Sequence, residues 1–388
     1  MQGSRGTVLA VTLGDPAGVG PEVALRATRA LLRPGGAAHG VAIGRRTTPR
    51  VVLIGDRAAT EETSRRLRLG IGVVPCTTDD VARRALPPVA ASGRLVLPLL
   101  APDASQARPL RAAERRPGKP SDAGARIAYH GLLAAIELAR VGAIDAICTA
   151  PINKEGFARA GLATTGHTEI LAEKSGAAHV RLMMAHPQLR IVLATTHVAI
   201  TDVPRQLTRD GIEETIRVTA SHLRRWFGIA RPRIAVAALN PHASDGGTYG
   251  DEEERLIAPA IARARAARID AFGPVPADTL FSALGPANDA VVAMYHDQGL
   301  IPVKQLGVHE AVNVTLGLPF IRTSPDHGTA YDVAAKGGAD PRSMQAAVAL
   351  ALRLAALERR AARRSPKSIE RRAVPRGPRK TQDPRGPR

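Results

Sequence analysis

Short apolar runs of strand character alternate with helical stretches along the whole of this 388-residue chain. That alternation is the pattern of a mostly parallel sheet with helices on its faces, an α/β fold. A first strand is expected at 7–13 and a first helix at 21–32, with Pro21 at its first position, where a missing N–H is harmless. A strand at 51–55 precedes a helix at 58–67. Residues 95–97 read as a short strand, and 102–120, rich in Pro, Arg and Ala, as a loop. A long helix spans 121–141, with Ser121 or Asp122 as its cap.

From residue 144 the strands acquire chemical endings. The run 144–148 leads into T-A-P-I-N-K, and 191–194 into Thr195-Thr196-His197. The run 234–238 leads into Leu239-Asn240-Pro241-His242, and 290–294 into Tyr295-His296-Asp297. Ligands of α/β sheets bind beyond the carboxyl ends of strands, so all four endings are expected along one active edge. The last of them opens the stretch 289–328. It gathers Lys304, Asn313, Arg322 and the turn Asp326-His327-Gly328 among glycines and prolines. It reads as one wall of an active site.

A lone histidine after a strand is more often a structural residue or a helix cap than a ligand. Three of them at equivalent ends of one sheet can converge, and neutral imidazoles suit Zn²⁺, Co²⁺ or another divalent ion. His197, His242 and His296 are too far apart for a local motif such as HExxH, so spacing leaves the metal open. Asp297 is placed to orient an imidazole or a metal-bound water. Gly166-His167-Thr168-Glu169 opens a helix expected at 168–174. Its start is either plainly capped or a seat for phosphate or carboxylate. Lys304, Asn313 and Arg322 add two cations and an amide, a set fit for an anionic substrate. The glycine-rich turn 14–22 is neither GxGxxG nor a Gly-Lys-Ser loop, and Asp15 and Glu22 would repel phosphate. It reads as a tight strand-to-helix turn lining the cleft.

The net charge of +19 points toward nucleic acid, but twelve Lys and Arg against three acids fall within 358–388. That segment has no apolar periodicity and reads as a disordered tail, capable only of non-specific contact with polyanions. Cys76 and Cys148 form no CxxC and read as buried free thiols in a reducing compartment. Neither a signal-peptide pattern nor an apolar run long enough to span a bilayer is found, so a soluble, cytoplasmic protein is expected.

Several longer blocks then come together. V-T-L-G-D-P-A-G-V-G-P-E, T-A-P-I-N-K, T-G-H-T-E, A-T-T-H, L-N-P-H-A, G-P-V-P-A-D-T-L-F, A-M-Y-H-D-Q-G-L-I-P-V-K and V-N-V-T-L-G-L-P-F-I-R-T-S-P-D-H-G-T-A span Val11 to about Asp340. In this order they resemble the PdxA family, the 4-hydroxythreonine-4-phosphate dehydrogenases of vitamin B6 synthesis. The resemblance implies an isocitrate/isopropylmalate dehydrogenase-like fold with two α/β subdomains around a cleft, placed here at 1–150 plus 305–357 and at 151–304. It implies a homodimer with active sites at its interface and metal ligands from both partners. His197, His242 and His296 match the family's metal ligands, for Zn, Mg or Co. His167, Thr168, Lys304, Asn313 and Arg322 match its substrate positions, with Lys304 and Asp297 the catalytic candidates. Asp278 falls in a shared block without an assigned role.

The implied reaction is NAD- or NADP-dependent oxidation of 4-phosphooxy-L-threonine at C3, then decarboxylation to 3-amino-2-oxopropyl phosphate. Residues 40–50 and the tail are extra to the pattern. Ala335, where glycine is expected, and Val308-His309-Glu310-Ala311 depart from it near the expected nucleotide region. The alternatives are a sister dehydrogenase acting on erythronate or threonate 4-phosphate or a dihydrodiol carboxylate, and a phosphate acyltransferase on a similar fold. The acyltransferase would need neither metal nor NAD, against which the three histidines argue.

Overall fold

The computed structural model describes residues 6–33, 49–86, 90–91, 94–162, 166–282 and 287–364. Among them are thirteen strands: β1 (Val8–Thr12), β2 (Arg50–Ile54), β3 (Ile71–Pro75), β4 (Ala90–Ala91), β5 (Arg94–Leu100), β6 (Ala146–Thr149), β7 (Arg181–Ala185), β8 (Arg190–Leu193), β9 (Arg233–Ala237), β10 (Asp270–Val275), β11 (Ala290–Ala293), β12 (Val312–Leu316) and β13 (Ile321–Pro325). They form one sheet in the order β10-β9-β11-β8-β7-β12-β13-β6-β1-β2-β5-β3, with β4 on β5. The expected short strand at 95–97 is the middle of the longer β5. The expected loop at 102–120 holds one 3-10 turn, Ala112–Arg115.

The sheet is not parallel throughout. β7 is antiparallel to both β8 and β12, and β12 is antiparallel to β13. Strands β8, β9, β10 and β11 therefore run opposite to β1, β2, β3, β5, β6 and β13. The expectation of four chemical endings along one edge is corrected accordingly. Those of β8, β9 and β11 share an edge, while T-A-P-I-N-K after β6 lies at the other. The cause is the tight turn at 186–189, closed by the His186 and Leu189 backbones, which reverses the chain without a glycine signal.

Alternate side chains of a strand face opposite layers. One layer is continuous. Helices Gly20–Leu32, Arg209–Arg225, Ala258–Ala266 and Arg342–Arg364 pack there over a single cluster running from Leu9 and Val23 to Ile234 and Met344. The other layer is divided. Helix Asp122–Arg140, capped by Ser121 Oγ accepting from Gly124 N at 3.1 Å, covers β1, β2 and β6. Helices Lys154–Arg159 and His167–Ser175 pack against that helix, on the side of β6 rather than of β7–β11. Helix His296–Leu306 covers β8 and β11. Two separate apolar clusters result, one around Ile147, Leu132 and Ile170 and one around Met184, Val291 and Val303. Between them lie β12 and β13.

The last helix runs through Arg364, so residues 358–364, expected as the start of a disordered tail, are helical. Glu358 pairs with Arg225 at 2.6 Å and Arg359 with Asp145 at 2.9 Å. The extra residues 40–48 and the tail from 365 lie outside the described residues. Both cysteines are free, Cys148 buried as expected but Cys76 only half-buried. Among the described residues no helix is long and apolar enough to cross a membrane.

Candidate active site

The gap between the two apolar clusters is floored by polar side chains. Arg322 on β13 stands in register with Ile147 of β6, and Asn313 on β12 with Ser324 of β13. Asn313 and Thr315, two apart, face the same side. Arg322 is 2% exposed. Its Nη2 and Nε donate to Thr149 Oγ1 at 2.7 and 3.2 Å, and Nη1 donates to Thr315 Oγ1 at 3.0 Å. No carboxylate lies within ion-pair distance of it among the described residues. Burial pulls the guanidinium down to about 10, with only weak help from Cys148 and Glu169. A buried cation held by hydroxyls alone is costly, and an anion would relieve it.

Two further polar atoms face the same need. His167 Nε2 and Asn313 Oδ1 are shut off from solvent without a hydrogen-bond partner among the described residues. His167 begins the helix His167–Ser175, whose first-turn N–H groups have no partners within the helix. Burial first, then the charges of Arg322 and Lys154, hold its imidazole well below the usual range and keep it neutral. Thr168, half-buried, follows it. On the opposite wall, Lys304 Nζ lies 3.0 Å from Asp326 Oδ2, tying the helix His296–Leu306 to the end of β13. Sequence reasoning thus named Arg322, Asn313, His167 and Thr168 and missed Thr149 and Thr315. Threonines on strands carry no signal of their own until the register is known.

The histidines lie at the other edge. His197 follows β8 and His296 opens the helix after the neighbouring β11, with ring centroids 5.6 Å apart. Asp297 Oδ1 is 2.7 Å from His296 Nδ1. In the tautomer that donates to Asp297, Nε2 keeps the free lone pair a metal needs. His242, after β9, sits in the segment Pro241–Asp245, where four consecutive residues, His242 to Asp245, have φ of 54°, 53°, 69° and 44°. Non-glycine residues rarely adopt that backbone, and such strain gathers at functional sites.

Glu253, buried and unforeseen, holds the turn. One carboxylate oxygen accepts from Leu239 N and Asn240 N, both at 2.8 Å, and the other from Asn240 Nδ2 at 2.9 Å and the Ser244 hydroxyl. Burial alone would raise its carboxyl, but these bonds together hold it below the ordinary value. Among the described residues no group of three His, Cys, Asp or Glu side chains closes a metal-binding set. His197 and His296 are brought together; His242 does not complete a triad with them within one chain.

The first turn is not part of a phosphate loop. Asp15 Oδ2 accepts from Tyr331 Oη at 2.7 Å, and Glu22 Oε1 from Gly338 N and Ala339 N at 3.0 and 3.1 Å. Both carboxylates clasp the chain after Gly328. A cavity of about 440 Å³ opens elsewhere, between the β7–β8 turn and the last helix, lined in part by Arg190, Phe227, Leu306, His309 and Arg353. It contains none of the nine residues named from the sequence as the site.

A reversed two-part sheet, divided on one face around a buried cationic floor, is a mixed α/β architecture. The family model described as "Pyridoxal phosphate biosynthetic protein PdxA" matches residues 47–351. The 4-hydroxythreonine-4-phosphate dehydrogenase of Beijerinckia indica subsp. indica is 45% identical over 351 residues, 89% of this chain and 94% of the relative. A putative D-threonate 4-phosphate dehydrogenase of Bradyrhizobium diazoefficiens is 41% identical over 90% of this chain and 96% of its own. The solved 4-hydroxythreonine-4-phosphate dehydrogenase of Klebsiella pneumoniae superposes with a TM-score of 0.73 at 36% identity, covering 90% of this chain and 99% of that one. This chain belongs to the PdxA family. Its named relatives are dehydrogenases, that is, oxidoreductases.

Proposed function

We propose that this protein is a cytoplasmic, homodimeric dehydrogenase that oxidises 4-phosphooxy-L-threonine at C3 with NAD or NADP and releases CO₂ from the product. The observation that carries the reading is Arg322, a buried cation with no carboxylate in ion-pair range among the described residues, together with His167 Nε2 and Asn313 Oδ1, which are unsatisfied among them. That floor fits a substrate with anionic and hydroxyl groups.

Arg322, His167, Thr168 and Asn313 bind and orient the substrate. The C3 hydride passes to the nicotinamide and the hydroxyl proton leaves, giving a β-keto acid. The C1–C2 bond then breaks, CO₂ departs with its carbon, and the electron pair left at C2 takes up a proton. Lys304, paired with Asp326, supplies a second cation for the substrate and is the group assigned to move that proton.

His197, His296 and His242 would hold a divalent ion, with Asp297 fixing the His296 ring. When bound, the ion polarises the substrate oxygen and stabilises negative charge developing on it. The paired rings of His197 and His296 and the Asp297 contact support that donor set, and the incomplete group in one chain supports completion by a second copy. Val198, Ile200, Tyr249 and Ile301 are exposed large apolar residues close in sequence to the three histidines, a surface a second copy would cover. For the cofactor's phosphate-bearing end, the 440 Å³ cavity offers Arg190, 5.1 Å over the Phe227 ring, and Arg353.

The test is NAD(P)H formation from 4-phosphooxy-L-threonine, with D-threonate and D-erythronate 4-phosphates alongside, before and after chelation. Turnover of the first substrate, lost with chelator and restored by a divalent ion, is the expected result. Turnover of D-threonate 4-phosphate alone would shift the substrate toward that of the Bradyrhizobium relative. No NAD(P)H from any of them would overturn the assignment.

A further inference from the structure

Lys154 is the one lysine near the buried floor that neither motif spacing nor resemblance assigned. It opens the helix Lys154–Arg159, immediately after Asn153, whose side chain caps that helix by accepting from Glu155 N at 3.0 Å. The residue is exposed and forms no ion pair or hydrogen bond among the described residues. Its stem lies across Gly166. A Cβ built on Gly166 would fall 2.7 Å from Lys154 Cε and 3.2 Å from Nζ. The ammonium therefore hangs over the amino end of the nine-residue helix His167–Ser175.

Three independent features meet there. Lys154 and Arg322 are the two cations whose charges bear on His167. His167 Nε2 is buried and has no hydrogen-bond partner among the described residues. The helix start adds N–H groups and its positive dipole end. Nearby, Glu169 is occupied, with Oε2 accepting from Gly166 N at 3.0 Å. Two cations that both act on one neutral imidazole, neither of them ion-paired to a carboxylate among the described residues, form a place for a doubly charged anion.

We propose that Lys154 is a substrate-binding residue that grips the phosphate group of the substrate at the start of the helix His167–Ser175, opposite Arg322. The proposal rests on the reading that the substrate is phosphorylated. It also gives Gly166 a reason: any side chain there displaces the lysine. Gly166 has an extended backbone (φ −91°), so alanine is tolerated conformationally; its Cβ meets Lys154 Cε most closely, at 2.7 Å, and Glu169 Oε2 at 3.2 Å.

The experiment compares wild type, Lys154→Met and Gly166→Ala in two assays. The first is calorimetric binding of inorganic phosphate to the intact protein, which needs no turnover. Wild type is expected to bind it and both variants to bind about 10- to 100-fold more weakly, the value of one or two charge-assisted hydrogen bonds. The second assay separates KM from kcat. Both variants should raise KM for 4-phosphooxy-L-threonine by a similar factor with kcat nearly kept, and leave KM for unphosphorylated 4-hydroxy-L-threonine unchanged. Lys154 is exposed, so its variant should melt with wild type. Phosphate binding unchanged in Lys154→Met would overturn the proposal, as would a fall in kcat with KM intact. Should wild type oxidise none of the candidate substrates yet bind phosphate through Lys154, the dehydrogenase reading falls and the anion site stands.

Discussion

Replacing Arg322 by methionine separates stability from binding, because the two should move in opposite directions. At 2% exposure burial pulls the guanidinium well below its ordinary value, down to about 10, which disfavours the charged form by about 3 kcal/mol at 1.36 kcal/mol per pKa unit. The folded value lies below the unfolded one, so the unfolded chain holds the proton more tightly. The penalty is therefore fully present at pH 7 and is relieved only above about pH 10. Methionine removes it but leaves Thr149 Oγ1 and Thr315 Oγ1 without their donors, a loss of about 1 kcal/mol each. The balance is a variant as stable as wild type or more stable by about 1 kcal/mol. At the same time phosphate or substrate should bind at least about 100-fold more weakly, since two charge-assisted bonds are lost. Urea unfolding without ligand, followed by calorimetric titration, reads both quantities. A variant destabilised by 3 kcal/mol or more would show that Arg322 is a structural ion whose hydroxyl partners fully repay its burial. The reasoning that its charge awaits an anion would then be wrong.

Glu253→Gln should release the strained turn at His242, because an amide cannot accept at all the positions the carboxylate now fills. A loss of about 2 to 3 kcal/mol and a roughly 10- to 100-fold weaker grip on a divalent ion are expected, measured by unfolding and by competition with a chromophoric chelator. His167 is held neutral in the folded chain, whereas the unfolded chain takes up a proton near pH 6.5. Wild type should therefore lose stability as pH falls below that value. His167→Asn should lose less over pH 7 to 5 in urea melts, and an identical slope would refute a neutral His167.

Much of the fold was legible because strand runs and helix caps are local. Ser121, one of the two caps read, caps its helix, Pro21 sits in the first turn of the first helix, and β8, β9 and β11 each end one residue before the expected end of the apolar run. Direction was not legible. Residues 186–189 carry no glycine or Asn-Gly pair, only Pro187 as a turn signal, yet that turn sends T-A-P-I-N-K and the histidines to opposite edges. Arg322 and Asn313 could be named from charge and amide chemistry, but their common face depends on the antiparallel register of β12 and β13. Asp15 and Glu22 were legible in part, since the turn they belong to is no phosphate loop, as expected. Acids beside glycines read as repelling phosphate, while their actual partners, Tyr331, Gly338 and Ala339, are distant in the chain.

That clasp sets an order for biosynthesis. The bonds from Tyr331 to Asp15 and from Ala339 to Glu22 join residues 316 and 317 positions apart. A ribosome delivers the first strand and helix long before their partners exist. Two carboxylates destined for the interior must wait in solvent until almost the last helix emerges. Loop-closure entropy of that size makes such contacts late. The nascent amino-terminal half is thus an open piece of sheet with unfinished polar groups, a natural client for a chaperone. A chain truncated just before residue 331 should remain in that state however long it is given to fold.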